Sequence, residues 1–285
     1  MVFFSWQPPG AGLMQRFPVS LVEMAASLWR HRQLAWVLVQ REVIGRYRGS
    51  MLGILWSFFN PVFMLVVYTF VFSVVFKARW NINSDSKTEF ALVLFAGLIV
   101  FNLFAECINR APGLIVSNVN YVKKLVFPLE ILPWVVLGSA LFHALISLCV
   151  WLLAYLVLYG LPPPTVLLLP LVVLPLMLFI MGLSWALASL GVYLRDVSQF
   201  IGMVTSVLMF LTPIFYPVSA LPPQFQGYLL LNPLTPAVEM ARDVLFWGRV
   251  PDLRMLLLYS LGTVLVAWLG FAWFQKTRKG FADVL

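Results

Sequence analysis

Charge is what this chain has least of. Only 11% of its 285 residues are Asp, Glu, Lys or Arg, where soluble domains carry about 25%. Hydrophobic residues make up 62%. No soluble core of this size could hide them all, so a water-soluble globular protein is excluded. Cysteine is scarce as well. Cys107 and Cys149 both fall in apolar segments, and no disulfide framework is expected. There are two histidines, and acids such as Glu106, Glu130 and Asp196 stand singly. From these neither a metal-ligand cluster nor a catalytic constellation can be assembled, which argues against a membrane-embedded transferase. A G-x-x-x-x-G-K loop is missing, so this chain has no recognisable ATP site. Its first residues, MVFFSWQPPGAG, lack a basic n-region and do not read as a cleaved signal peptide.

What the chain has instead is long apolar runs. A helical span needs about 20 apolar residues to cross roughly 30 Å of hydrocarbon. Six segments qualify: 52–76, 90–116, 131–159, 166–194, 197–221 and 255–275. Lipid offers the backbone no water, so these are expected to be helices. The fold class is therefore an all-α integral membrane protein with six transmembrane helices. Its divisions are an N-terminal segment 1–51, a six-span transmembrane region 52–275 and a tail 276–285.

Lys and Arg in the flanks set the orientation. Twelve fall at the N-terminal segment, at 117–130, at Arg195 and in the tail, against six on the other side. The richer side is expected to be cytoplasmic, with both termini there. The formal charge of +8 is then a topology signal, and no nucleic-acid partner is implied.

Between the spans, three stretches stand out. Residues 1–51 interleave apolar and basic residues, and Leu34, Val37, Leu38, Arg41 and Glu42 suggest an amphipathic helix resting among headgroups. It runs into Arg46, Tyr47 and Arg48, with Gly45, Gly49 and Gly53 at four-residue spacing. Those glycines either line one helix face for close packing or mark a bend. Loop 117–130 carries Tyr121, Lys123, Lys124, Phe127 and Pro128, aromatic and basic groups suited to a partner or to a solvated turn. Segment 222–251 is too apolar for an ordinary loop and is broken by prolines. Two short re-entrant helices before the last span would fit it. Within the spans, Glu106 and Arg110 are spaced as a helical ion pair. His143 lies mid-span, where hydrogen bonding inside the bundle is expected. Aromatics reach 15%, and their faces can stack on sugar rings.

The stretch RYRGSMLGILWSFFNPVFMLVVYTFVFSVVF resembles the permease subunits of polysaccharide-exporting ABC transporters of the type-2 permease family. These are the exporters of O-antigen, capsule and teichoic acid. VKKLVFPLEILP, TPIFYP and NPLTPAVEMARDVLFWG follow in the same order. The resemblance covers about residues 30–275, and the first 20 residues match nothing usable. It implies a homodimer around a channel in the bacterial inner membrane, with two separate ATPase subunits holding ATP and Mg. This chain itself is expected to bind no cofactor and to be no enzyme. The cargo would be a polysaccharide on undecaprenyl diphosphate, of O-antigen class, with capsule or teichoic acid as the alternative and a drug exporter further off. The resemblance assigns 21–48 and 118–130 to the ATPase interface, with Tyr121, Lys123, Lys124, Phe127 and Pro128 as coupling residues. It assigns 222–247 to an outer gate, here with Asn232, Pro233, Glu239, Arg242 and Asp243. Arg46, Tyr47 and Arg48 are then expected at the mouth where the anionic substrate comes in.

Overall fold

The computed structural model describes residues 18–75, 80, 87–123, 127–229 and 231–285. Among them every regular element is helical. Lys124 lies outside the described residues, as do Lys77 and Arg79 of the topology count. Five helical stretches are long and apolar enough to cross a membrane: Gly53–Phe72, Thr88–Arg110, Leu129–Tyr159, Pro164–Tyr193 and Leu253–Val284.

The chain enters through two helices rather than one. Ser20 caps α1 (Leu21–Arg30), its Oγ accepting from the Glu23 N–H at 3.1 Å, which satisfies one of the orphan donors of the first turn. Met24 and Ser27 face inward while Val22 and Trp29 stay exposed, so the two-sided character sits mainly here. At His31 the chain changes direction into α2 (Arg32–Tyr47). That helix lies along α6 (Leu132–Tyr159) so closely that a Cβ on Gly138 would overlap the Val39 side chain. Beyond Tyr47, Gly49 and Gly53 take φ of +84° and +53°, values that cost a side-chain-bearing residue dearly. A Cβ on Gly45, Gly49 or Gly53 would meet nothing within 4 Å. The glycine series therefore marks a bend into α3 (Trp56–Tyr68) and packs against no other described residue of this chain.

At the centre lies α4 (Lys87–Arg110), with 83% of its most apolar window buried. It is surrounded by α6, by α7 (Leu169–Tyr193), by α8 (Val197–Leu211) and by α10 (Leu234–Arg242). Two wholly buried indoles each spend their one N–H on backbone. Trp151 donates to Leu92 O at 2.8 Å and Trp185 to Glu130 O at 3.0 Å. The short α5 (Val119–Val122) lies between α4 and α6 in sequence, and α9 (Pro223–Leu229) precedes α10. The last long helix, α11 (Leu253–Thr277), packs on α7 through glycines. A Cβ on Gly270 would overlap the carbonyl of Gly182, and one on Gly182 would overlap the backbone of Val266. Small residues at such a crossing let two backbones touch in lipid. A terminal turn, α12 (Phe281–Val284), buries Phe281 beneath it.

The expected fifth span, 197–221, is shorter than its apolar run. α8 stops after 15 residues, about 22 Å at 1.5 Å per residue. Pro213 causes this. The residue before a proline is driven out of the helical region, and Thr212 is extended with φ −81° and ψ 137°.

Candidate functional site: two charged clasps around a polar cavity

Two helices carry matching charge pairs one turn apart, Glu42 and Arg46 on α2, Glu106 and Arg110 on α4. They run antiparallel and clasp each other. Arg46 Nη1 lies 2.7 Å from Glu106 Oε1, and Arg110 Nη2 donates to Glu42 Oε1. Within α4, Arg110 Nη1 stands 3.7 Å from Glu106 Oε1. His143 of α6 closes the cluster, its Nδ1 3.1 Å from Glu106 Oε2 and 2.8 Å from Arg46 Nη1. One ring nitrogen cannot serve both at once. With a proton on Nδ1 it donates to the carboxylate, and without one it accepts from the guanidinium. Two acids and two arginines cancel, so the clasp carries little net charge beyond what His143 adds when protonated. A four-residue slide of α2 along α4 would set arginine against arginine, so the clasp specifies register.

The clasp separates two cavities. One of about 530 Å3 lies between the end of α2 and α3, α4 and α6, with Arg46, Tyr47, Glu106 and His143 in its wall. Burial pushes the Tyr47 phenol above its ordinary 10.0, so it stays a hydroxyl donor. The other, of about 870 Å3, lies on the far side of α2 and takes in Arg41, Arg48, Arg110, Asn118 and Tyr121. Arg41 and Arg48 pair with no carboxylate among the described residues. The sequence put Arg46, Tyr47 and Arg48 at one mouth. In the structure they divide, Arg46 and Tyr47 toward the smaller cavity and Arg48 toward the larger, more basic one.

Loop residues Tyr121 and Phe127 stack face to face, ring centres 4.2 Å apart and planes 6° apart. Just behind them is a node that sequence reasoning missed. Glu130, 8% exposed, receives Arg278 Nη1 at 2.5 Å and Ser27 Oγ at 3.1 Å. Arg278 Nη2 also donates to Phe127 O at 2.9 Å. One carboxylate thereby joins α1, the loop and the C-terminal end of α11. Pro128 leads into that turn, and Lys123 is exposed at the end of α5.

On the opposite side Arg242 is 1% exposed, and each of its nitrogens is engaged. Nε donates to Val93 O at 3.1 Å, Nη2 to Ile214 O at 2.8 Å, and Nη1 to Pro213 O at 2.5 Å and Glu239 Oε1 at 2.8 Å. Its guanidinium also lies 4.4 Å over the Trp80 ring. Burial lowers its pKa to about 10 against the pull of Glu239, which leaves it charged at neutral pH. Asn232 adds a second tie. Its Nδ2 donates to Thr212 Oγ1 at 2.9 Å, and its Oδ1 accepts from Leu234 N at 3.0 Å at the start of α10, just after Pro233. The blocks TPIFYP and NPLTPAVEMARD thus meet in space. Asp243 begins a π-helical turn, Asp243–Trp247, and its carbonyl accepts from Arg249 N. Burial raises the Asp243 carboxyl, opposed by Arg249.

A model of the ABC-2 type transporter family matches residues 33–246, which takes in both clasps and both cavities. Relatives align almost end to end. The O-antigen export system permease protein RfbA of Myxococcus xanthus is 29% identical over 92% of this chain and 99% of its own length. The polysialic acid transport protein KpsM of Escherichia coli is 25% identical over 85% and 92%. The capsule polysaccharide export inner-membrane protein CtrC of Neisseria meningitidis is 27% identical over 89% and 94%. With three-quarters of its length matched and several apolar helices long enough to cross a bilayer, the chain belongs to the ABC-2 type transporter family of membrane-embedded permeases.

Proposed function

We propose that this chain is the channel-forming permease subunit of an ATP-driven exporter of polysaccharide. It works as a homodimer on a pair of ATPase subunits. The cargo is a glycan on undecaprenyl diphosphate, most closely O-antigen, moved from the cytoplasmic to the outer side of the inner membrane. The observation that carries this reading is the near end-to-end likeness to RfbA proteins. Likeness to KpsM and CtrC favours capsular polysaccharide as the second reading.

The parts take these roles. ATP closes the partner ATPases, which push on α1, α2 and the Tyr121–Phe127 loop. The clasp between α2 and α4 carries that push into the bundle. Arg41 and Arg48, uncompensated in the basic cavity, receive the carrier diphosphate, whose charge is costly to desolvate and well matched by forked donors. At the outer end Glu239, Arg242, Asp243, Asn232 and Pro233 hold the short helices shut.

Co-purification tests the assembly. A tagged permease expressed in its native host is expected to bring an ABC ATPase subunit down. Phe127→Ala, which removes the stacked partner of Tyr121, and Lys123→Glu are expected to cut the yield of complex about tenfold while the permease still inserts. Full recovery of the ATPase with both variants would remove the loop from the interface.

A further inference from the structure

α4 is buried almost all round except along one stripe. Asn102, Glu106 and Asn109 occupy it, spaced four and three residues apart and therefore on one helical face, and all three line the 530 Å3 cavity. Asn60, on the facing side of α3, lines it too. Glu106 is engaged by Arg46 and His143. The three asparagines are exposed, and their side chains make no hydrogen bond among the described residues. A carboxamide at membrane depth that finds no partner costs free energy, so these three are aimed at something polar that fills the space. Their cavity is of ligand size. Its other walls bring the aromatic faces of Tyr47, Tyr68 and Phe95.

The chemistry selects among ligands. The two arginines in its wall, Arg46 and Arg110, are each already held by a carboxylate, Glu106 and Glu42, so neither is left free to take a phosphate. That anion fits the basic cavity beyond α2. Planar carboxamides offer a donor and an acceptor side by side, which matches vicinal hydroxyls, and aromatic faces suit the apolar faces of a pyranose ring. We propose that this cavity is a saccharide subsite, with Asn60, Asn102 and Asn109 as the groups that bond sugar hydroxyls. The proposal rests on the polysaccharide-export reading above and adds a place where the first sugars sit, next to the basic cavity, with Asn109 and Arg110 lining both spaces.

The test uses the permease with its ATPase in nanodiscs and two synthetic probes: a prenyl diphosphate bearing a short chain of neutral hexoses, and the same carrier without sugar. Asn60→Leu and Asn102→Leu keep the side-chain size and remove its polarity. The unsubstituted complex is expected to bind the sugar-bearing probe more tightly than the bare carrier. Each variant is expected to lose about tenfold for the sugar-bearing probe, with bare-carrier binding and basal ATP hydrolysis unchanged. Leu145→Asn, on the opposite face of α6, is expected to change neither. If both leucine variants keep the full preference for sugar, the cavity holds water alone and the subsite is refuted, while the export reading stands. Should the unsubstituted complex bind both probes equally, the subsite falls. If it binds neither, the export reading falls with it.

Discussion

Arg242→Ala is expected to cost the permease about 3–5 kcal/mol, the range for stripping a buried charge network of one partner. The substitution removes the donor for three backbone carbonyls, Val93, Pro213 and Ile214, and for the Glu239 carboxylate. Those groups sit on α4, on the turn after α8 and on α10, so one side chain ties three elements together. None of the carbonyls gains water in exchange if the surrounding helices stay closed. The expected response is therefore opening of this end of the bundle together with a lower melting temperature in detergent. It is read by labelling cysteines placed at Glu239 and Tyr216 with a bulky outside reagent, in a chain whose Cys107 and Cys149 are alanine. Arg242→Lys is expected to fall between, since three donors on one nitrogen cannot reach the four acceptors that the guanidinium spans from three nitrogens. Gly97→Ala provides an independent push on the same lock, because its Cβ would come within 2.7 Å of Arg242 Nη2. Unchanged melting and unchanged labelling in Arg242→Ala would show that this arginine holds nothing shut.

Reversal of the inner clasp is the second large effect. Arg46→Glu places an acid against Glu106 and breaks the pair at 2.7 Å. A lost hydrogen bond to a charged group costs about 1.5–3 kcal/mol, and like-charge repulsion adds to that. Export is expected to fall, because the proposed coupling of α2 to α4 is broken. Adding Glu106→Arg restores opposite signs, and the double variant is expected to recover most of the stability and export lost by either single change. A double-mutant cycle isolates this coupling from other consequences of each substitution. Additive losses, with no rescue, would mean that the two charges act separately and that α2 transmits nothing through them.

The local features of the fold were largely legible. Apolar runs gave the helical class and the position of the long helices, and prolines in 222–251 announced short helices there. Hydropathy overestimates the fifth segment because it continues through Pro213, although that proline is itself the stop signal. The single amphipathic helix became two because nothing in the periodicity betrays the change of direction at His31. The site residues were harder, for a physical reason. Arg46 meets Glu106 across 60 positions and Glu130 meets Arg278 across 148, and no local period encodes such pairings. One signal was available. Two acid–base pairs at four-residue spacing, on segments joined by an up-and-down turn of the chain, are complementary when antiparallel. Asn102 and Asn109 carried another, as amides recurring at helical spacing inside an apolar run.

Transport itself tests the central claim most directly. The permease and its ATPase, reconstituted in proteoliposomes with a lipid-linked glycan confined to the ATPase-facing leaflet, are expected to deliver that glycan to the opposite face only when ATP is hydrolysed. An external glycosidase or lectin reads its arrival. Intact assembly and ATP hydrolysis with no glycan crossing, while a sugar-free amphiphile does cross, would contradict the account.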